Sequence, residues 1–306
     1  MGFGLAKVTI GSKAFVPITE SEYAALVDAR RGTRLGLSVE QKFDLVVESY
    51  LEVEKGLLSA SADFMVLSSH DYQSSQTERG LFNRLVHNLL AAGRTYADHV
   101  PQHVERLMRA DESALERVKS FLSREYDAHL GYRAMCALRN YAQHSEFPVH
   151  VLGHNAKWVG PEDQSRLRHT TRLGLLPAEL AADGDFKRSV LQELELLGKE
   201  VDLMWLLRDY VQGLWSAHQS IREDIDPTLA NHETVMRLAL DKFESESDED
   251  SQHLAAWVEG ESGTLTGKEL VFLESIEYRL FLRRKNANLG NLTACFVSSE
   301  SAVDGT

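Results

Sequence analysis

Arg139 and His144 close the run Leu138-Arg139-Asn140-Tyr141-Ala142-Gln143-His144. A guanidinium reads planar oxyanions in two-pronged fashion, so this run is a candidate for meeting an anion. Spacing alone proves little, because Arg94…His99, Arg124…His129 and Arg139…His144 all share it. With 22 Arg and 12 His in 306 residues, about one such pair is expected by chance. Requiring one of the eight asparagines directly after the arginine lowers that expectation to roughly 0.02. Only Arg139-Asn140-x-x-x-His144 meets the requirement. On a helix turning about 100° per residue, Asn140 and His144 share a face, while Arg139 lies about 140° from His144. Arg139 then reaches round on its long side chain, or the helix loosens ahead of Pro148, or a second copy of the chain supplies the missing partner. The plainer reading is a polar helix end, with Arg139 in a salt bridge and His144 bonded to backbone.

Twelve histidines also raise the metal reading. A di-iron bundle needs Glu-x-x-His on facing helices, and the nearest relative here is Asp250-x-x-His253. His99 and His103 are four apart but straddle Pro101, and His150 and His154 share that spacing in a loop or strand. Neither pair has an evident carboxylate to complete a zinc triad, so no metal and no cofactor is expected. Gly-x-Ser-x-Gly, a Walker loop and a strand-linked Gly-x-Gly-x-x-Gly are all missing, which leaves hydrolase, NTPase and Rossmann readings without support.

The longer pattern Tyr132-Arg133-x-x-x-x-Leu138-Arg139-Asn140-Tyr141-Ala142-Gln143-His144, followed by Phe147-Pro148-Val149, resembles the signature of the HEPN superfamily. Its members are helical-bundle nucleotide-binding and ribonuclease domains. Leu89-Leu90 and Arg94-Thr-Tyr96-Ala-Asp98-His99 are similar to the helix beside the motif helix in bacterial members of uncharacterised type. The resemblance covers roughly residues 38–225 and is specific at 132–149. It implies a metal-independent endoribonuclease that cleaves RNA by 2′-hydroxyl attack to a 2′,3′-cyclic phosphate, at a composite site in a homodimer. His144 is then the general acid or base, Arg139 holds the scissile phosphate, and Asn140 orients His144 or bonds the backbone. Asp98 pairs with Arg139 across helices or stands as a surface carboxylate. Tyr141 and Tyr132 stack on bases or fill core. Arg133 joins Arg166, Arg168 and Arg172, a basic cluster that is either an RNA rail or a solvated loop. Such an enzyme serves as a toxin or antiviral defence effector, with an antitoxin or defence-system partner. The alternatives are a non-catalytic nucleotide- or RNA-binding or protein-interaction module of the same type, and a structural bundle whose motif is accidental.

The elements that must position these residues follow from apolar periodicity. A hairpin or edge strand is expected over residues 6–17, with a break at Gly11-Ser12, and a short helix from Thr19 to Ala29. A long helix opens at Ser38, where Ser38 and Gln41 form a capping box, and runs to about Phe64. The second helix carries Leu81, Leu85 and Leu89, and Pro101 kinks it or ends it near His99. A third starts at Asp111 and continues through the motif to Phe147-Pro148. Strands or a hairpin follow over 149–180, then a fourth helix from Asp185 to Glu223 that Asp226-Pro227 ends. Residues 241–250 hold six acidic residues against one lysine, the composition of a solvated linker. The expected class is mainly α: a HEPN-like helical bundle at 38–225 after an N-terminal extension at 1–37. Residues 226–306 form the acidic linker and a small C-terminal α/β appendage.

An apolar fraction of 43% is enough for a full core and excludes a disordered chain. Two cysteines, Cys136 and Cys295, make neither a disulfide framework nor a four-thiolate zinc site, and that usage fits a reducing cytoplasm. No apolar run reaches the length of a membrane span, and no signal peptide is read at the N-terminus. A net charge of −13 argues against broad DNA binding, which needs clustered cations, but leaves room for a local cationic site.

Overall fold

The computed structural model describes residues 2–9, 14–67, 71–162, 165–260 and 264–298. The chain is mainly α, with two small sheets, and divides into two compact units. Three long helices, α1 (Glu20–Val66), α2 (Tyr72–Leu107) and α7 (Leu203–Ser247), contribute residues to both units. No described helix is long and apolar enough to cross a membrane.

The first unit comprises residues 1–42, 99–119 and 219–287. Strands β1 (Gly2–Lys7) and β2 (Val16–Ile18) pair with each other, and the expected Gly11-Ser12 break between them lies outside the described residues. β6 (Leu254–Glu259) and β7 (Leu265–Leu270) complete an antiparallel sheet of order β2-β1-β6-β7. β1 pairs with β6 along its length, from Gly2 opposite Glu259 to Lys7 opposite Leu254. The strands of the expected N-terminal extension and C-terminal appendage therefore form one sheet. Its buried side chains Leu5, Val16, Leu254 and Ala256 join Leu26, Met236 and Phe243 in one apolar cluster. Helix α8 (Glu274–Lys285) belongs to the same unit.

The expected helix starts and stops differ in an instructive way. Thr19, not Ser38, caps α1: its Oγ1 accepts the Glu22 amide at 3.2 Å, and Glu22 Oε2 accepts the Thr19 amide at 2.6 Å. That is a reciprocal capping box. Ser38 lies mid-helix, its hydroxyl donating back to the Arg34 carbonyl at 2.9 Å. α2 continues through Pro101 and α7 through Pro227. A proline inside a helix costs about 3 kcal/mol. Here buried Val100, Val104 and Leu107 flank the first, and Ile225 and Leu229 flank the second, so continued packing outweighs the lost bond. α7 carries the expected acidic linker as helix as far as Ser247, because Phe243 is fully buried.

Arg222 on α7 meets Glu40 on α1 in a two-pronged ion pair of 2.8 and 2.6 Å, both side chains 3% exposed. Breaking a buried pair leaves one uncompensated charge. Glu40→Ala is therefore expected to lose about 3–5 kcal/mol in chemical denaturation. Lys119→Ala, which removes the exposed pair with Glu116, should change stability by less than about 0.5 kcal/mol. Equal effects would contradict burial as the source of the difference.

The second unit comprises residues 43–98, 120–218 and 288–306 and is a helical bundle with a projecting hairpin. Its core includes Phe43 stacked on His218, ring centroids 4.1 Å apart, and Tyr96 sharing a 2.9 Å hydrogen bond with His218 Nδ1. The expected third helix is two: α3 (Ala114–Ala128), which begins in the first unit, and α4 (Leu130–His144), separated at His129. β3 (Val151–Val159) and β4 (Arg166–Leu175) form the expected antiparallel hairpin, and β5 (Val201–Asp202) adds two residues at the base of β4. The expected fourth helix is likewise interrupted: α6 (Arg188–Leu197) precedes β5 and α7 starts after it, while α5 (Pro177–Ala182) closes the segment expected as strands.

Candidate functional site

Helix α4 carries the Arg139-Asn140-x-x-x-His144 motif, and its start is fixed from outside. The N-cap residue His129 makes no side-chain cap bond. Asp209 on α7 supplies one instead: Oδ2 accepts the Gly131 amide at 2.7 Å, and Oδ1 lies 2.7 Å from His129 Nδ1. A carboxylate at this end also complements the partial positive charge of the helix terminus. Gly131 permits the approach, since a Cβ there would sit 2.3 Å from the Leu206 carbonyl oxygen.

Along α4, Tyr132, Met135, Leu138 and Tyr141 are buried, Arg139 is half-buried, and Asn140 and His144 are exposed. Arg139 donates to Asn140 Oδ1 at 3.4 Å, while its Nε is buried without a hydrogen-bond partner. The helix ends at His144, with the Ser145 amide bonded to the Tyr141 carbonyl at 2.9 Å. The chain beyond is held by α2: Asn83 Oδ1 accepts the Val149 amide at 2.9 Å, and Arg79 Nε donates to the Val149 carbonyl at 3.0 Å.

Two cavities flank the motif. The first, about 340 Å³, is lined by Arg139, Asn140, Arg94, Cys136 and three tyrosines, Tyr126, Tyr132 and Tyr210. These rings stand edge to face in series, 5.7 and 5.3 Å between centroids. The second, about 270 Å³, is lined by His144, Asn140, Tyr141, Asp183, Asp185 and Lys187. Asn140, Tyr126 and Cys136 border both. Burial raises the Tyr132 and Tyr210 hydroxyls above their ordinary values and pushes the Cys136 thiol up to about 11, against the pull of Arg94, Lys187 and Arg139. Cys136 is thus a neutral thiol at pH 7, a wall rather than a nucleophile.

No protein-family model, curated protein or solved structure matches this chain.

The other expected site residues separate. Asp98 forms its ion pair with Arg94 on its own helix at 2.7 Å, rather than with Arg139. Tyr141 and Tyr132 are core: Tyr141 packs edge-on to His150 and Phe186, and Tyr132 against Tyr126 and Tyr210. Arg133 is consumed structurally, bonding Glu193 at 2.6 Å and the carbonyls of Tyr126 and Asp127. Arg172 pairs with Glu200. Arg166 and Arg168 are exposed on β4. His99 and His103 lie on the unbroken α2 with rings edge to face, 6.4 Å apart. Among the described residues, no three His, Cys, Asp or Glu side chains converge where a metal ion could sit. Asp209, Tyr126 and Lys187 escaped the sequence reading as site residues, because no local spacing ties them to the motif. The sequence presents Cys136, one turn before Arg139, only as one of two cysteines.

Asp209→Ala is expected to cost about 2–4 kcal/mol, from two lost bonds at a buried helix start. Thermal or chemical melts check this, and a loss under 0.5 kcal/mol, the range of an exposed pair, would refute the anchoring role. The raised Cys136 thiol gives a pH signature. Its iodoacetamide alkylation, followed by peptide mapping, should rise about tenfold per pH unit and level off only near its elevated value. A plateau below pH 9 would contradict burial as the cause.

Proposed function

We propose that the protein is a metal-independent endoribonuclease working at the α4 motif, as its resemblance to the HEPN superfamily implies. The observation that carries the reading is Asn140 on the shared border of two cavities, one walled by Arg139 and Arg94, the other by His144. In this reading a scissile phosphate sits against Arg139, whose guanidinium has hydrogen-bonding capacity to spare. His144 takes the proton from the ribose 2′-hydroxyl, whose oxygen attacks phosphorus. The P–O5′ bond breaks, the 5′-oxygen takes up a proton from water while His144 returns its own to solvent, and a 2′,3′-cyclic phosphate remains. Arg139 offsets the charge that develops on the phosphoryl oxygens.

Arg139 and His144 border different cavities within one chain, and we place the complete site in a homodimer, each phosphate bound by one protomer and attacked beside the other's histidine. A two-fold interface supplies two such sites at once. The setting is cytoplasmic, and the activity is that of a toxin or defence effector.

His144→Ala should lower RNA cleavage by about 10²–10⁴-fold. Arg139→Ala should be similarly damaging, and Arg139→Lys only partly restorative, since a point charge lacks the fork. EDTA should leave the rate unchanged. His99→Ala is a suitable control, whereas His129→Ala is not, because His129 is bonded to Asp209 at the start of α4. Mixing the inactive Arg139→Ala and His144→Ala proteins should restore up to about a quarter of the wild-type rate, from the intact site of each mixed dimer. Binding without cleavage would instead favour a non-catalytic module. A folded His144→Ala that cleaves at the wild-type rate would overturn the proposal.

A further inference from the structure

We propose that the β3–β4 hairpin is an arm that binds single-stranded RNA, using Lys157, Arg166 and Arg168 for phosphates and Trp158 for a base. It deepens the ribonuclease reading, from which it takes only the identity of the bound strand.

The register dictates two unlike faces. Lys157 lies opposite Arg168, Trp158 opposite Leu167, and Val159 opposite Arg166. Successive residues of a strand point to opposite sides, so Lys157, Arg166 and Arg168 share one face and Trp158 and Leu167 the other. The two strands contain four basic residues and no acidic one, within a chain of net charge −13. Lys157 and Arg168 stand directly opposite on one face, so two cationic side chains can meet the same phosphate. On the reverse face Trp158 is 64% exposed, an aromatic surface available for base stacking, which tolerates any sequence.

The arm is held at its root, and most of its described residues beyond the root are exposed. His154 bridges Glu78 at 3.0 Å and Thr171 at 3.1 Å, and its ring stacks on Phe64. Ser61 Oγ accepts the Thr171 amide at 2.9 Å. From Asn155 to Trp158, and from Arg166 to Arg168, every residue is exposed. A lone two-stranded ribbon is marginal in water, so this clamp is what sustains the exposed tip. Val151, where the arm begins, is seven residues beyond His144, which limits their separation to about 25 Å. A strand on the arm is thus within reach of the motif. A protein strand added along the β3 edge is the competing occupant, but the paired cations and the bare tryptophan favour a polyanion that carries bases.

The test is fluorescence anisotropy with a fluorescein-labelled oligouridylate of about 20 nucleotides, long enough to cover such a site. The full chain carries His144→Ala to keep the RNA intact. Adding Lys157→Gln, Arg166→Gln and Arg168→Gln together should weaken binding at least tenfold and lower the slope of log K against log salt by about 2. Trp158→Ala should weaken binding about fivefold or more with the slope unchanged, and Trp158→Phe should retain most of the affinity. The proposal is overturned if the triple variant binds within twofold of its parent with the same slope. It is equally overturned if the arm variants alter sedimentation and not RNA affinity, which marks a protein interface. Loss of RNA binding in the arm variants of a protein that never cleaves RNA upholds the arm and refutes the nuclease. Cleavage by a protein whose arm variants bind normally does the reverse.

Discussion

The carboxylate of Asp209 is the contact on which the motif helix depends. The first amides of any helix lack partners within it, and α4 has no capping side chain of its own. One oxygen of Asp209 satisfies the Gly131 amide and the other orients His129, whose ring packs beside Gly213 on the same helix, α7. Because α4 spans fifteen residues, about 22 Å, any tilt at its start is magnified at His144. The absence of a side chain at position 131 removes the slack, letting the α4 backbone approach the Leu206 carbonyl directly. A single buried acid thus fixes the start of the helix that carries Arg139, Asn140 and His144.

Two arginines on α4 show how differently the fold treats one residue type. Arg133, near the anchored end, bonds two carbonyls at the end of α3 and the Glu193 carboxylate, tying three helices together. Arg139 has a single long bond to its neighbour Asn140 and a buried Nε with no partner. Leaving a buried donor unsatisfied costs about 1–3 kcal/mol, a cost that an anion against the guanidinium can offset. Arg133 is spent on structure, whereas Arg139 keeps a buried donor unspent, although both stand in the same sequence motif.

The sequence legibly held what is local. The helical class, the hairpin over 149–180 and the motif helix through His144 all follow from periodicity and turn residues within a few positions of one another. What escaped was set by distant partners. Ser38-Val39-Glu40-Gln41 satisfies the capping pattern as well as Thr19-Glu20-Ser21-Glu22 does, and only packing decides that Glu40 faces Arg222 inside a continuous helix. Pro101 and Pro227 stop a helix in isolation, whereas flanking buried side chains carry both helices onward. The pairing of β1 with β6 joins residues some 250 positions apart, a distance over which no local pattern speaks. The site divides along the same line: the spacing singles out Arg139, Asn140 and His144, while the fates of Asp98, Arg133 and Arg172 rest on Arg94, Glu193 and Glu200, which spacing does not reveal.

Helix α2 joins the two parts of the second unit that the proposals concern. Gly93, Arg94 and Ala97 line the first cavity, and Gly93 is close enough to Tyr210 that a Cβ would strike its hydroxyl. Three turns earlier on the same helix, Arg79 and Asn83 grip both polar groups of the Val149 backbone, and Glu78 holds His154 at the root of the hairpin. The cavity wall and the arm's root are thus fixed to one rigid rod, with a rise of about 1.5 Å per residue between them. On the two proposals together, a strand held by the arm would meet the motif at a set offset, and that offset, rather than base-specific contacts, would select which phosphate comes to rest beside Arg139.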